Sequence, residues 1–105
     1  MTLPNLTMEQ RKAALEKAAQ LRTKRAKTKK AMKSGHLKGE TVLENLEQFG
    51  HMKRVSVYHF LISQPNIGGA TALKIMEECK IAESRRLQGL GDRQREKLLE
   101  IIRRY

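Results

Sequence analysis

The chain has little with which to build a covalent or cofactor-bearing scaffold. Its single cysteine, Cys79, cannot close a disulfide within one chain, which fits a reducing compartment. Tryptophan is absent, and two tyrosines with two phenylalanines make up all the aromatic side chains. Single-stranded nucleic acid is held by stacking its bases on exposed rings. Phe49 and Phe60 fall on apolar stripes, so Tyr58 and Tyr105 alone are left for that work, and a single strand is a poor ligand. Two prolines, Pro4 and Pro65, leave long tracts with no helix breaker. No apolar run reaches about 18 residues, and the first residues lack a charged start followed by an apolar core. Neither a membrane span nor a secretory signal is expected. Acidic residues are scarce: 11 Asp and Glu face 22 Lys and Arg, for a formal charge of +11.

Catalytic and metal chemistry are also missing. His36, His51, His59 and Cys79 do not fall at metal-ligand spacings. No glycine-lysine nucleotide loop occurs. The only aspartate, Asp92, has the position of a helix cap, and the glutamates fall on exposed helix faces with no carboxylate pair set up for acid-base work. Cys79 shares an apolar stripe with Met76 and reads as a small packed residue rather than a nucleophile. The expectation is a non-enzyme without cofactor or metal.

What is present is positive charge, unevenly spread. A chain of 105 residues makes one domain with an extension and a modest core. Between Thr7 and Ser34 stand Arg11, Lys12, Lys17, Arg22, Lys24, Arg25, Lys27, Lys29, Lys30 and Lys33, against Glu9 and Glu16 alone. From Gly35 to Ala82 the charges cancel, and from Glu83 to Tyr105 basic residues again lead. A field of that strength favours a polyanion.

Along the chain, Met1–Leu6 forms a short arm. Thr7-Met8-Glu9-Gln10 fits a capping box, and a helix then runs unbroken to about Lys33. Ala14, Ala18 and Leu21 give it a weak apolar stripe that disappears after Leu21. Arg22, Arg25, Lys29 and Lys33 then share one face. A helix polar all round is not held by core packing, so this second half is expected to project into solvent and to order fully on a polyanion. The alternative is a solvated face that serves solubility.

Ser34-Gly35-His36 and Gly39 mark a loop. Thr41-Val42-Leu43-Glu44 fits a second capping box, with Val42, Leu46 and Phe49 on one face of a helix ending near Gly50. Lys53 and Arg54 are expected to be exposed. Val57, Phe60, Leu61 and Gln64 share one helical face, and His59 lies at the core edge. After a Pro65-Asn66-Ile67-Gly68-Gly69 turn, Ala72, Ile75, Met76 and Cys79 repeat the pattern. Glycine at 68 and 69 would allow backbone angles other residues avoid. The free amides opening the second helix would suit a phosphate. Asp92 is expected to cap a last helix carrying Leu98, Ile101, Ile102 and Tyr105. No strand signal occurs, and the fold class is all-α: a long N-terminal basic helix followed by a small bundle of about four short helices. The expected division is 1–34, arm and long basic helix, and 35–105, helical domain.

The sequence of helix, Pro-x-Ile-Gly turn, helix, Ser84-Arg85-Arg86-Leu87 and final helix, over about 57–105, resembles the helix-two-turns-helix module. That module is known from a small-subunit ribosomal protein and from base-excision glycosylases of the formamidopyrimidine type. The whole chain is more similar still to the actinobacterial integration host factor family. The likeness is carried by Leu3-Pro4, Leu6-Thr7, Glu9-Gln10-Arg11 and Ala13-Ala14-Leu15-Glu16-Lys17-Ala18, by Ile75-Met76-Glu77, and by Ser84-Arg85-Arg86-Leu87-x-Gly89-Leu90-Gly91. It is weakest from about Gly35 to Gly50.

The resemblance implies a cytoplasmic, nucleoid-associated protein, monomeric without DNA, that binds double-stranded DNA with little sequence demand. It implies bending or compaction, altered supercoiling and help in phage integration, with integrase or topoisomerase as functional partners and no membrane. The two-turn region would lie against the backbone near the minor groove, with a second basic surface on the long helix. On this chain the implied contacts are Ile67, Gly68, Gly69, Ala70, Thr71, Lys74, Arg85 and Arg86, with Arg93 and Gln94 flanking. Arg22, Arg25, Lys29, Lys33, Lys53 and Arg54 supply the other basic surface. Where Gly69, Thr71 and Ser56 stand, the family usually carries cations. For Arg85 and Arg86 the competing reading is a surface pair, or one arginine tying the turn to a carboxylate.

Three other classes compete. An RNA- or ribosome-associated protein would use the same module. A glycosylase would need a catalytic lysine or a terminal proline nucleophile beside an acid, and Pro4 is not terminal. A membrane-surface helix would need a bulkier apolar face than Ala14, Ala18 and Leu21 provide.

Overall fold

The computed structural model describes residues 7–105, so the expected Met1–Leu6 arm lies outside the described residues. Five helices follow in order among them: α1 (Met8–Lys33), α2 (Gly39–Glu44), α3 (Val57–Ile62), α4 (Gly69–Glu78) and α5 (Asp92–Ile102). Short 3-10 turns at Gly50–Met52 and Leu87–Gly89 complete the backbone. Among the described residues the only β-type pairing is one antiparallel bridge between Ser56 and Arg86. The chain is all-α, as its periodicity implies.

The expected capping box opens α1. The Gln10 amide donates to Thr7 Oγ1 at 3.1 Å, and the Thr7 amide donates to Gln10 Oε1 at 2.9 Å. Gly35, at φ +85°, ends the helix in the left-handed region that glycine enters without strain.

Which half of α1 projects is the reverse of the sequence expectation. From Thr7 to Lys24 every side chain is exposed except Ala18, which is half-buried. The second half packs: Thr28 and Met32 are buried, and Arg25, Lys29 and Ala31 are half-buried. The reason is polar anchoring rather than an apolar stripe. Arg25 Nε donates to the His51 carbonyl at 2.7 Å, and Thr28 Oγ1 meets His51 Nε2 at 2.6 Å. Lys33 Nζ donates to the carbonyls of Ile62 and Gln64, both at 3.2 Å, at the negative end of α3. The unsupported first half makes the molecule long, 50 × 33 × 24 Å. Its radius of gyration is 16.0 Å, against about 13 Å for a compact chain of this size.

The core gathers around Phe60, with Met32, Leu43, Met52, Leu61, Ile67, Met76 and Leu98 all closed to solvent. Val57, Phe60, Leu61 and Gln64 are buried together, as are Ala72, Ile75, Met76 and Cys79, so both expected stripes face inward. On α5 the stripe stops one turn short. Leu98, Ile101 and Ile102 are buried, but the helix ends at Ile102 and Tyr105 is 53% exposed. His59 is exposed rather than at the core edge. Its ring bonds the capping hydroxyl of Ser56 at 2.6 Å, which holds it over the mouth of α3.

Two helix starts differ from expectation. Helix α2 begins at Gly39, with Lys38 as an N-cap that makes no side-chain bond, and stops at Asn45. Thr41 therefore lies inside it, its carbonyl accepting from Asn45. Glycine is required at 39 because a Cβ there would sit 2.3 Å from Oε1 of buried Gln64. In α5 the cap is Gly91, and Asp92 is the first helical residue, paired with Arg95 at 3.7 Å. The Gly91 amide donates to Gln94 Oε1 at 3.0 Å, the N3 half of a capping box, while no side chain caps the helix amides as an aspartate would.

Candidate nucleic-acid interface

The Pro65–Gly69 turn is tight for a different reason from the one its glycines suggest. The left-handed residue is Asn66, at φ 68°, a conformation asparagine tolerates better than most. Gly68 is the N-cap of α4 in ordinary extended backbone, φ −93° and ψ −179°. Ile67 is 1% exposed, so its side chain pins the turn to the core and leaves only backbone for contact. Gly69 is a matter of room: a Cβ there would stand 2.8 Å from the Tyr58 hydroxyl.

No side chain caps α4, and its first backbone-bonded amide is that of Ala72, donating to Gly68 at 2.9 Å. The amides of Gly69, Ala70 and Thr71 thus stay free at the positive end of a helix. Thr71 is half-buried, and Lys74 is exposed on the same helix. At its other end α4 closes on Lys80, also left-handed at φ 57°, with Ile81 donating back to Met76 at 2.8 Å.

Arg86 and Arg85 do not act as a pair. They lie at the isolated bridge to Ser56, with Val57 donating to the Arg85 carbonyl at 2.9 Å and Leu87 to that of Val55 at 3.0 Å. Successive side chains of an extended strand point to opposite sides. Arg85 turns to the Gly89 carbonyl, Nη1 to oxygen 3.0 Å. Arg86 turns the other way, and its Nη1 donates to the Arg54 carbonyl. Both arginines are tied to backbone oxygens rather than to a carboxylate.

The side taken by Arg86 is an open cleft. Arg25 and Lys29 from α1, Arg54 from the loop before α3, and Arg86 line it together, with Glu83 as the one carboxylate. Two surfaces that the sequence assigns separately, the long helix and the two-turn region, meet here. Leu73 of α4 and Tyr58 of α3 also line the cleft. Because Gly69 and Leu73 are one helical turn apart, and Tyr58 touches the first, the free amide end of α4 adjoins the same cleft.

The remaining expected site residues are scattered. Arg22 is exposed and extends the Arg25–Lys29 row outward along α1. Lys33 is occupied at the end of α3. Lys53 is half-buried rather than exposed, because Glu47 holds it at 3.0 Å away from the cleft. Arg93 is exposed at the start of α5. Gln94 is committed structurally, since its Nε2 also donates to the Lys80 carbonyl at 2.8 Å. Ser56 caps α3, its Oγ accepting from the His59 amide at 3.1 Å.

His51 was assigned no role by the sequence, yet it anchors this side. Thr28 donates its hydroxyl proton to the Lys24 carbonyl at 3.0 Å, so it accepts from His51 Nε2, which must carry the proton. Burial, then the charges of Lys24 and Arg25, hold the imidazole below its ordinary range. Cys79 is 5% exposed, and its thiol is pushed up chiefly by burial. Among the described residues no group of His, Cys, Asp and Glu converges as a metal would require. Among the same residues no helix is long and apolar enough to cross a membrane.

A family model described as an S13-like H2TH domain matches residues 26–102. Proteins named integration host factor from Mycobacterium tuberculosis and Mycolicibacterium smegmatis are each 47% identical over 100 residues, which is 95% of this chain and 95% of theirs. The integration host factor of Streptomyces coelicolor is 42% identical over 94 residues, 90% of this chain and 88% of its own. Among solved structures, one of sIHF bound to an 8-base-pair palindromic DNA superposes with a TM-score of 0.77 at 33% identity. It covers 83% of this chain and 98% of that one.

Proposed function

The chain belongs to the integration host factor family, and from that premise we propose that it is a DNA-binding protein that grips double-stranded DNA along the cationic cleft. The observation that carries this reading is the meeting of Arg25, Lys29, Arg54 and Arg86, drawn from three separate stretches of chain, around a single carboxylate. Cations and free amides are what a phosphate backbone requires, and neither reads sequence. Binding is therefore expected on duplexes of any composition. The relatives' name and the DNA-bound neighbour support the choice of ligand.

In this reading the Gly69–Thr71 amides, Lys74 and Arg86 hold one stretch of backbone, with Ile67 and Gly68 fixing the turn behind them. Arg25 and Lys29 continue the contact onto α1, and Arg22 carries it outward. Arg54 stands with Arg86 in the cleft, and Arg85 and Arg93 flank the track. A duplex seated this way has its phosphates neutralised on one side by cleft and helix together, which favours bending toward the protein, compaction and altered supercoiling. Help in phage site-specific integration, beside an integrase, is the extension of that bending. The arm and long helix (1–34) and the helical domain (35–105) divide the work, and the protein acts as a monomer until DNA brings copies together. Its place is the nucleoid, and its role is binding rather than catalysis: Asp92 is paired with Arg95, and the Cys79 thiol is buried.

A mobility shift on unrelated duplexes across a salt series tests the reading, followed by plasmid relaxation with topoisomerase. Neutral replacements of Arg25, Lys29 and Arg86 together should flatten the salt dependence by about 0.9 for each phosphate no longer neutralised. No binding to any duplex in dilute buffer would overturn it. The S13-like description of the matched domain keeps structured RNA as a second reading. Competition between duplex DNA and ribosomal RNA at matched salt separates the two.

A further inference from the structure

Beside the open cleft, and sharing three of its arginines, lies a recess lined by Arg25, Arg54, Arg86 and Gln88 with no carboxylate among them. Two of its guanidinium groups are already held in place, Arg25 by the His51 carbonyl and Arg86 by the Arg54 carbonyl. The N–H groups left over on these two, and all those of Arg54, meet no acceptor among the described residues. Planar donors in that number, on two anchored guanidinium groups and a third beside them, suit the several oxygens of a phosphate, which a guanidinium engages two at a time.

The rest of the cleft wall is of another kind. Leu73 is 44% exposed and serves no core; beside it stand Tyr58, half-buried against the core, and the exposed ring of His59. A continuous duplex keeps the faces of its bases stacked inside and offers a cleft of this sort only sugar, phosphate and base edges. Such a ligand would satisfy the arginines and bring no base face to exposed Leu73. Glu83, the single acid at the edge, is an acceptor that repels phosphate but suits the N–H groups of a base.

We propose that the cleft is a site for one unstacked nucleotide, its phosphate in the three-arginine recess and its base against Leu73 and Tyr58. Glu83 accepts from the base, an arrangement that matches the adjacent ring and amino N–H donors of guanine. The inference rests on the reading of this cleft as phosphate-binding. The shared chemistry is a nucleoside phosphate, supplied either by a free nucleotide or by an unpaired 5′-phosphorylated nucleotide at a duplex end. The scarcity of aromatics fits one base and not a strand.

The test uses the full chain and direct calorimetric titration of each ligand. One arm compares guanosine triphosphate with inorganic tripolyphosphate. The other compares a blunt 5′-phosphorylated duplex with the same duplex carrying one unpaired 5′-guanosine nucleotide. In at least one arm the base-bearing ligand should bind about fivefold or more tighter than its counterpart, the scale of a single base stacked on a side chain. Leu73→Gln, an exposed helical position where circular dichroism should show no change, should erase that gain. It should leave tripolyphosphate and blunt duplex binding unchanged. The arm that shows the gain identifies the source. No gain in either arm, or a gain untouched by Leu73→Gln, overturns the proposal while leaving duplex binding in place. A retained gain with no binding to blunt duplex would uphold the nucleotide site and overturn the duplex reading alone.

Discussion

The two parts of α1 meet fates opposite to those their composition suggests. Met8–Lys24 carries the more continuous apolar stripe, in Ala14, Ala18 and Leu21, yet stands clear of the body. Arg25–Lys33 is rich in lysine and packs. Alanine buries too little surface to dock a helix, and Leu21 remains 39% exposed. The second half is held by Met32, entirely closed to solvent, and by polar bonds from Arg25, Thr28 and Lys33 to specific partners. Docking here follows from a few directed bonds around one apolar peg rather than from average hydrophobicity.

The largest test of that contrast is truncation. Met32→Ala should cost about 2–5 kcal/mol in chemical denaturation, the range for emptying a packed methionine site. Leu15→Ala on the projecting half, where the side chain is 68% exposed, should stay within about 0.5 kcal/mol. Equal losses would mean that the first half is docked after all.

Next is the wall behind Met32. Gln64 Nε2 donates to the Phe60 carbonyl at 2.8 Å and reaches the Met32 sulfur at 3.2 Å, while its oxygen fills the space over Gly39. Gly39→Ala forces that buried amide aside and should cost about 1–3 kcal/mol, read as a lowered denaturation midpoint. Thr28→Val should cost less, about 1 kcal/mol, by leaving the His51 N–H without its acceptor.

The smallest effect is in pH. His51 is held below its ordinary value in the folded state, so folding favours the neutral ring. The stability it contributes is fully present above its unfolded value of about 6.5. It is lost as pH falls through the lower folded value. Unfolding midpoints of the protein and of His51→Gln should therefore converge or cross as pH falls from neutrality. Parallel curves would remove His51 from the anchoring of α1.

Much of the fold was legible because its signals are local. The Thr7–Gln10 box, the stripes on α3 and α4, and the glycine stop after α1 depend on near neighbours in the chain, and spacing alone reveals them. The errors share the opposite property. Met32 and Thr28 fall at helical spacing with Arg25 and Lys29, but the row looks polar until His51, from a distant segment, is seen to bond it. The meeting of α1 with Arg54 and Arg86 in one cleft is likewise tertiary, as is the divergence of Arg85 from Arg86, set by the bridge to Ser56. Asn66 in place of glycine as the left-handed residue was missed because composition names the residues that tolerate a conformation, not the one that adopts it.

The unbroken helix from Met8 to Lys24 behaves as an indexed rod. At about 1.5 Å per residue it reaches roughly 25 Å from the point where Arg25 clamps it. Substitutions along it change only what they replace. A single deletion between Arg22 and Arg25 would swing every cation before it by about 100° around the axis, carrying the row to another side of the rod. This segment therefore tolerates a change of letters far better than a change of count.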